Sequence, residues 1–184
     1  MNKTISLRKQ IICAIFAAII AILAQISIPL PFTGVPITMQ TFAIVLTAVI
    51  LGGRLGTMSV LIYILLGAIG IPVFSQFTGG FQTLIGPTGG YIISFPVVAA
   101  IIGYCSCKYK KNYLMISLAC ILAVGISYII GTIQLAFVAN LTFKGALMAG
   151  VIPFIPFDII KVVLAVIIGY RIQNRLLQSS TSYL

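Results

Sequence analysis

The sequence predicts an all-α integral membrane protein: six transmembrane helices in a single transmembrane domain covering residues 1–184, with both termini cytoplasmic. Three observations carry this reading. First, 61% of the 184 residues are hydrophobic and only 7% are charged, with a mean hydropathy of +1.23, whereas a soluble domain carries roughly 25% charged residues. Second, long apolar runs alternate with short segments rich in proline, glycine or lysine. Third, the positive residues fall almost entirely at one end of those runs, as they do when cytoplasmic loops collect Lys and Arg.

The first span runs from about Leu7 to Ile28, near the twenty residues a bilayer-crossing helix needs. Lys3, Arg8 and Lys9 before it imitate the start of a signal peptide, but the run is long and has no small-residue cleavage site before Pro29, so a retained span is expected. Pro29, Pro31, Gly34 and Pro36 then interrupt the helix, because proline removes a donor and clashes with the preceding turn. The second span begins near Thr38. Gly52, Gly53 and Gly56 around Arg54 mark a tight turn into the third, which ends near Gly70 and Pro72. Both are short, at roughly 24 Å against a hydrocarbon core of about 30 Å. The uncharged segments 29–37 and 71–90 are therefore expected to dip inward and cap an outward-facing pocket, since irregular backbone is tolerated at membrane depth only where protein or a cavity covers it. The fourth span is expected over Tyr91 to Cys107, the fifth over Asn112 to Ala139, and the sixth from Pro156 to Asn174, after a short segment containing Lys144. Proline is well tolerated at a first helical position.

This layout places Lys3, Arg8, Lys9, Arg54, Lys108, Lys110, Lys111, Arg171 and Arg175 on one side and only Lys144 on the other, with Lys161 inside the last span. The net charge of +10 is thus a topological signal, which argues for a partner in the anionic leaflet of a bilayer and against nucleic acid. The chain has no histidine and a single acidic residue, Asp158, which excludes imidazole metal sites, Ser-His-Asp triads and paired-carboxylate chemistry. Cys13, Cys105, Cys107 and Cys120 make no Cys-x-x-Cys pair and read as reduced and structural. No cofactor, metal ligand set or catalytic group is expected.

Four groupings of residues remain as candidates for function. Asp158 and Lys161 lie one turn apart on one face of the last helix; intramembrane charges are costly to bury and mark substrate paths or internal ion pairs. Asp158 sits in the first turn, where the helix dipole favours a carboxylate. The segment 71–91 offers Gly79, Gly80, Gly86, Gly89 and Gly90 for close backbone approach to a ligand, Phe74, Phe77, Phe81 and Tyr91 as apolar walls, and Ser75, Gln76, Gln82 and Thr88 as hydrogen-bonding groups; it also reads as a turn-rich cap. Its GPTGGY lacks the Lys and Ser/Thr of a phosphate-binding loop, so any ATP hydrolysis belongs to a partner, while a secondary carrier with Asp158 as protonatable group stays open. Thr38 or Thr33 can cap the second helix, and Gln40, a buried amide, needs a ligand, a loop carbonyl or water as partner. Finally, Ala14 with Ala18 and Ala17 with Ala21 give small-xxx-small spacing on the first helix, suited to close approach by another helix, in this bundle or in a separate subunit.

Taken together, PLPFTGVPITMQTFA (29–43), GGRLG (52–56), GIPVF (70–74) leading into GPTGGYIISF (86–95), and FDIIK (157–161) resemble the BioY family, the biotin-specific substrate-binding (S) components of energy-coupling factor (ECF) importers. The resemblance covers nearly the whole chain. It implies an S-component-like six-helix bundle in a prokaryotic-type plasma membrane, biotin as transported ligand, and a complex with a membrane coupling subunit and two cytoplasmic ATPases. It assigns ligand contacts to Asp158 and Lys161 and to the glycine-rich loop from Gly79 to Tyr91, and the coupling surface to Ala14 and Ala18. This chain departs from the pattern at Ser75, Gln76 and Phe77, where a small, glycine-rich stretch is expected. Another vitamin as ligand, or autonomous secondary transport, are the alternative readings.

Overall fold

In the computed structural model, which describes residues 6–109 and 112–181, the apolar runs are helical; Lys3, Lys110 and Lys111 of the charge partition lie outside the described residues. The chain forms α1 (Leu7–Ala24), a short ladder of β1 (Ser27–Ile28) and β2 (Ile37–Thr38), α2 (Gln40–Ala68), a 3-10 turn (Ser75–Phe77), α3 (Phe81–Ile85), α4 (Gly89–Lys108), α5 (Tyr113–Val138), α6 (Phe143–Gly150) and α7 (Ile155–Thr181).

α1 stops one turn earlier than the sequence suggests. Pro29 pushes Ile28 out of helical geometry, and Ser27 and Ile28 instead pair with Thr38 and Ile37. The Ile26 carbonyl accepts from the Met39 N–H at 3.0 Å. The stretch 29–36 is therefore the tip of a hairpin that strand pairing closes at its base.

α2 is folded on itself at Gly52, whose φ of 76° and ψ of 178° suit only glycine. A Cβ built on Gly56 would lie 3.1 Å from the Ala48 Cα, whereas eight residues of straight helix span about 12 Å. Gln40 likewise reaches Tyr63, 23 residues on, with a 2.6 Å hydrogen bond. The two arms, 40–51 and 53–68, thus run antiparallel, with the reversal at the glycines flanking Arg54. They rise only about 18 and 24 Å; the hairpin 27–38 and the segment 71–88 cover the ends they leave short of a bilayer's roughly 30 Å.

Contacts between helix ends sort the charges. Cys13 Sγ donates to the Leu55 carbonyl at 3.5 Å, Gly52 packs against Cys107, and the Tyr170 hydroxyl donates to the Tyr109 carbonyl at 3.3 Å. Arg8, Lys9, Arg54, Lys108 and Arg171 consequently share one end of the bundle, while Lys144, in the first turn of α6, belongs to the other. α5 is capped by Asn112, whose side chain accepts from Met115 N at 3.2 Å, and α7 opens at Ile155 with Pro156 in its first turn, where a missing N–H costs nothing. α7 runs on to Thr181, two turns past the expected end at Asn174.

Small and branched side chains fill the core between α1, α2, α4 and α7, among them Ala17, Ile20, Val45, Ala99, Ile102 and Ala165. The outer surface is just as apolar, with Phe137 85% and Ile133 57% exposed. Water would penalise such a belt, whereas lipid is its natural solvent. Among the described residues α1, α2, α4 and α5 are each long and apolar enough to cross a membrane, and α6 with 155–173 of α7, bent by 50°, makes a fifth candidate. α2 enters that count once although it doubles back.

Candidate functional site

At the end of the bundle opposite Arg8, Arg54 and Lys108, the hairpin, the first arm of α2, α4, α5 and α7 converge on a cavity of about 60 Å³. Asp158 and Lys161 both line it and are only 7% and 8% exposed. Lys161 Nζ lies 2.9 Å from Asp158 Oδ1. The other carboxylate oxygen accepts from the Tyr128 hydroxyl of α5 at 2.7 Å. The Asp158 carboxylate therefore holds both a cation and a phenol, in the first turn of α7 where the helix dipole adds to its stabilisation. The chain has no other Asp or Glu to share that role.

Opposite α7, Thr38, Gln40 and Thr41 stand on the cavity wall. Gln40 Nε2 donates to the Tyr63 hydroxyl at 2.6 Å, and its Oε1 accepts from the Thr38 hydroxyl at 3.1 Å. The sequence suggested a ligand, a loop carbonyl or water as partner for this buried amide; in the structure it is bonded by two protein hydroxyls. Thr38 does accept from a first-turn amide, Gln40 N at 3.2 Å, although Met39 occupies the cap position; Thr33 instead accepts from Val35 N within the hairpin. Tyr91 also lines the cavity, with its hydroxyl donating to the Gly150 carbonyl at 2.9 Å. Ser75 and Thr88 complete the predicted residues found on the wall. Apolar flanks come from Val35, Ile44, Ile92, Phe95 and Phe154, so the space is a greasy slot with a charged floor and a few convergent polar groups, as small-molecule sites tend to be.

The remaining residues predicted in segment 71–91 lie away from the cavity wall. Gln76 and Phe77 are exposed on the outer face of the 3-10 turn, Phe77 at 72%. Gln82 bonds its own loop, donating to the Gly79 carbonyl at 3.0 Å. The glycines make room for protein. A Cβ on Gly79 would stand 2.5 Å from the Ile71 carbonyl oxygen, and one on Gly90 would stand 2.7 Å from that of Ile130; one on Gly89 would collide with the Leu84 carbonyl. Gly80 has φ 93° and donates to the Gly67 carbonyl at 2.7 Å, and the Gly86 carbonyl accepts from Gln134 at 2.9 Å. Of the four aromatic walls expected, only Tyr91 faces the cavity; Phe74 is fully buried edge-on against Tyr63.

Sequence reading missed Tyr128 and Ser127 on α5 and Tyr63 on α2. The signal was available: polar groups inside an apolar span demand partners, and Ser127, Tyr128 and Gln134 interrupt an otherwise greasy α5. Ser127 bonds Ser94 at 2.7 Å, and Gln134 anchors α3 through the Leu84 carbonyl at 2.8 Å. On α1 the two alanine pairs separate. Ala17 is buried in the bundle, whereas Ala14 and Ala18 are exposed on its outer face.

A family model described as the BioY family matches residues 1–178. The biotin transporter BioY of Thermotoga maritima is 41% identical over 168 residues, covering 91% of this chain and 97% of that protein. The probable biotin transporter BioY of Pyrococcus horikoshii is 44% identical over 161 residues, covering 88% of this chain and 93% of that protein. Among solved structures, the crystal structure at 2.1 Å of the S-component for biotin from an ECF-type ABC transporter superposes with a TM-score of 0.85, at 31% identity over 95% of each chain.

Proposed function

The chain belongs to the BioY family, and from that premise we propose that it is the biotin-capturing S component of an ECF-type importer in a prokaryotic plasma membrane. The observation that carries the reading is the buried Tyr128–Asp158–Lys161 group on the wall of an otherwise apolar cavity. Biotin's ureido ring offers two N–H donors and a carbonyl acceptor, and its apolar tail ends in a carboxylate. In this reading Asp158 accepts a ureido N–H and Lys161 donates to the carbonyl or carboxylate, in exchange for the contact the two ions make with each other. Each such charge-assisted bond contributes about 1.5 to 3 kcal/mol. Counting the arms of α2 separately, and α6 with α7 as one broken span, gives six spans. Arg8 and Arg171 then put both termini on the cytoplasmic side and the cavity mouth outside. The exposed Ala14–Ala18 face of α1 is the docking stripe for a membrane coupling subunit, which with two cytoplasmic ATPases supplies the energy that no motif in this chain provides.

Equilibrium binding of biotin to the purified protein in detergent, with thiamine and riboflavin as competitors, tests the substrate. Nanomolar, biotin-selective binding is expected; absence of binding, or displacement by either competitor, overturns it. Tyr128→Phe removes a single hydrogen bond to the Asp158 carboxylate and is expected to weaken biotin binding about fivefold to tenfold, in line with a loss of ~1 kcal/mol or slightly more. A dissociation constant equal to wild type shows that Tyr128 has no part in orienting the carboxylate.

A further inference from the structure

Gln25 makes a set of bonds that ligand contact does not account for. It terminates α1, and its side chain crosses to the segment that follows α2. Nε2 lies 3.0 Å from the Ala21 carbonyl oxygen, 3.2 Å from that of Val73 and 3.1 Å from that of Phe74. Oε1 accepts from the Phe77 N–H at 2.9 Å. One amide thus grips the chain on both sides of Ser75, the residue of this turn that reaches the cavity wall.

The turn needs such a grip. Gln76 and Phe77 have φ of 57° and 55°, a left-handed conformation that side chains disfavour and that persists only where surroundings enforce it. The Thr78 N–H and hydroxyl close the turn onto the Ser75 carbonyl at 3.2 and 2.9 Å, but the Phe77 amide is held from outside, by Gln25. At the turn's other end the Phe74 ring is wedged beside Gly67 and packs edge-on against Tyr63, the partner of Gln40 on the cavity wall. Ser75 lies between these two anchorages, so what fastens the turn also fastens this part of the cavity wall.

We propose that Gln25 is the latch of that wall: a positioning residue that fastens the turn 73–77 to the end of α1 and thereby sets how fast a ligand escapes. The proposal deepens the biotin reading and rests on it for the identity of the ligand. Because the latch is anchored on α1, whose Ala14–Ala18 face is exposed, the hold on the turn depends on where α1 stands.

The test compares wild type, Gln25→Ala and Gln25→Glu in detergent, reading hydrogen exchange at the Phe77 amide without ligand and the dissociation rate of biotin. Gln25→Ala is expected to speed both at least tenfold while biotin association changes less than threefold, and while α5 amides keep wild-type protection. Gln25→Glu keeps an acceptor for Phe77 but sets oxygen against the Val73 and Phe74 carbonyls; it should speed biotin release while retaining Phe77 protection, and it is read in place of the alanine variant if that one loses α5 protection. Unchanged exchange at Phe77 in Gln25→Ala overturns the latch whatever the ligand. Faster exchange with unchanged release overturns its role in retention. Failure of the wild type to bind biotin counts against the substrate, and the exchange result then still decides whether Gln25 fastens the turn.

Discussion

Asp158→Asn is expected to weaken biotin binding about a hundredfold, and Lys161→Met by a similar factor. A hundredfold is about 2.8 kcal/mol, the worth of one to two hydrogen bonds to a charged group. Each substitution also leaves its partner charge buried and unpaired, a loss of about 3 kcal/mol or more of folding stability. The pair would show that penalty equally if it merely tied α7 to its neighbours, so the two roles have to be separated. The double variant Asp158→Asn with Lys161→Met does so, because replacing both members of a buried pair is often close to neutral for stability. The double variant is expected to regain a wild-type melting midpoint while binding stays a hundredfold weak. If it binds biotin like the wild type, the ions are structural and the ligand lies elsewhere. The geometry favours the functional outcome: both residues are under 9% exposed, face the cavity, and hold a third group, Tyr128, that an ion pair alone does not require.

Much of this site was legible in the sequence because burying charge in a membrane is expensive enough to be diagnostic. One acid and one base, three residues apart in a chain with 7% charged residues, pointed to one helix face without any structure. The reversal in α2 was legible for a similar reason, since Gly52 and Gly53 beside Arg54 break an apolar run and place a positive residue at its break. What escaped was the work of the glycines in segment 71–91. Composition shows that backbone can approach something closely at Gly79, Gly89 and Gly90, but it does not say what. Here the approaching groups are the carbonyls of Ile71, Leu84 and Ile130, so these glycines build the wall of the site and do not line it. The end of α1 was misplaced because a two-residue ladder carries almost no pattern of its own. Ser27 and Ile28 leave the helix only because Ile37 and Thr38 are there to pair with them.

The same distinction between glycines that touch protein and glycines that touch nothing yields a second large effect, on stability alone and away from the cavity. At Gly103 of α4, a Cβ would lie 2.5 Å from both Gly52 C and Gly53 N and 2.7 Å from Gly53 Cα. These are backbone atoms of the α2 reversal, which α4 also holds one turn further on through Ser106, whose hydroxyl donates to the Val49 carbonyl at 3.0 Å. No side chain can rotate aside to make room, so the helices have to part. Overpacking of this kind costs about 1 to 3 kcal/mol, and with backbone on every near contact the upper end applies. Alanine returns roughly 1 kcal/mol through helix propensity, which is too little to compensate. Gly125 on α5 is the matched control: a Cβ there meets nothing within 4 Å, so the propensity gain stands alone. Gly103→Ala is therefore expected to lower the melting midpoint by several degrees, at roughly 2 to 4 °C per kcal/mol for a chain of this size, and Gly125→Ala to leave it unchanged or raise it, both read at one scan rate in the same detergent. Equal midpoints for the two variants would remove the close crossing of α4 over the reversal as a determinant of the fold. A selective loss at Gly103 would tie the stability of the basic end to the antiparallel arms, which are also what bring Gln40 and Tyr63 together at the cavity.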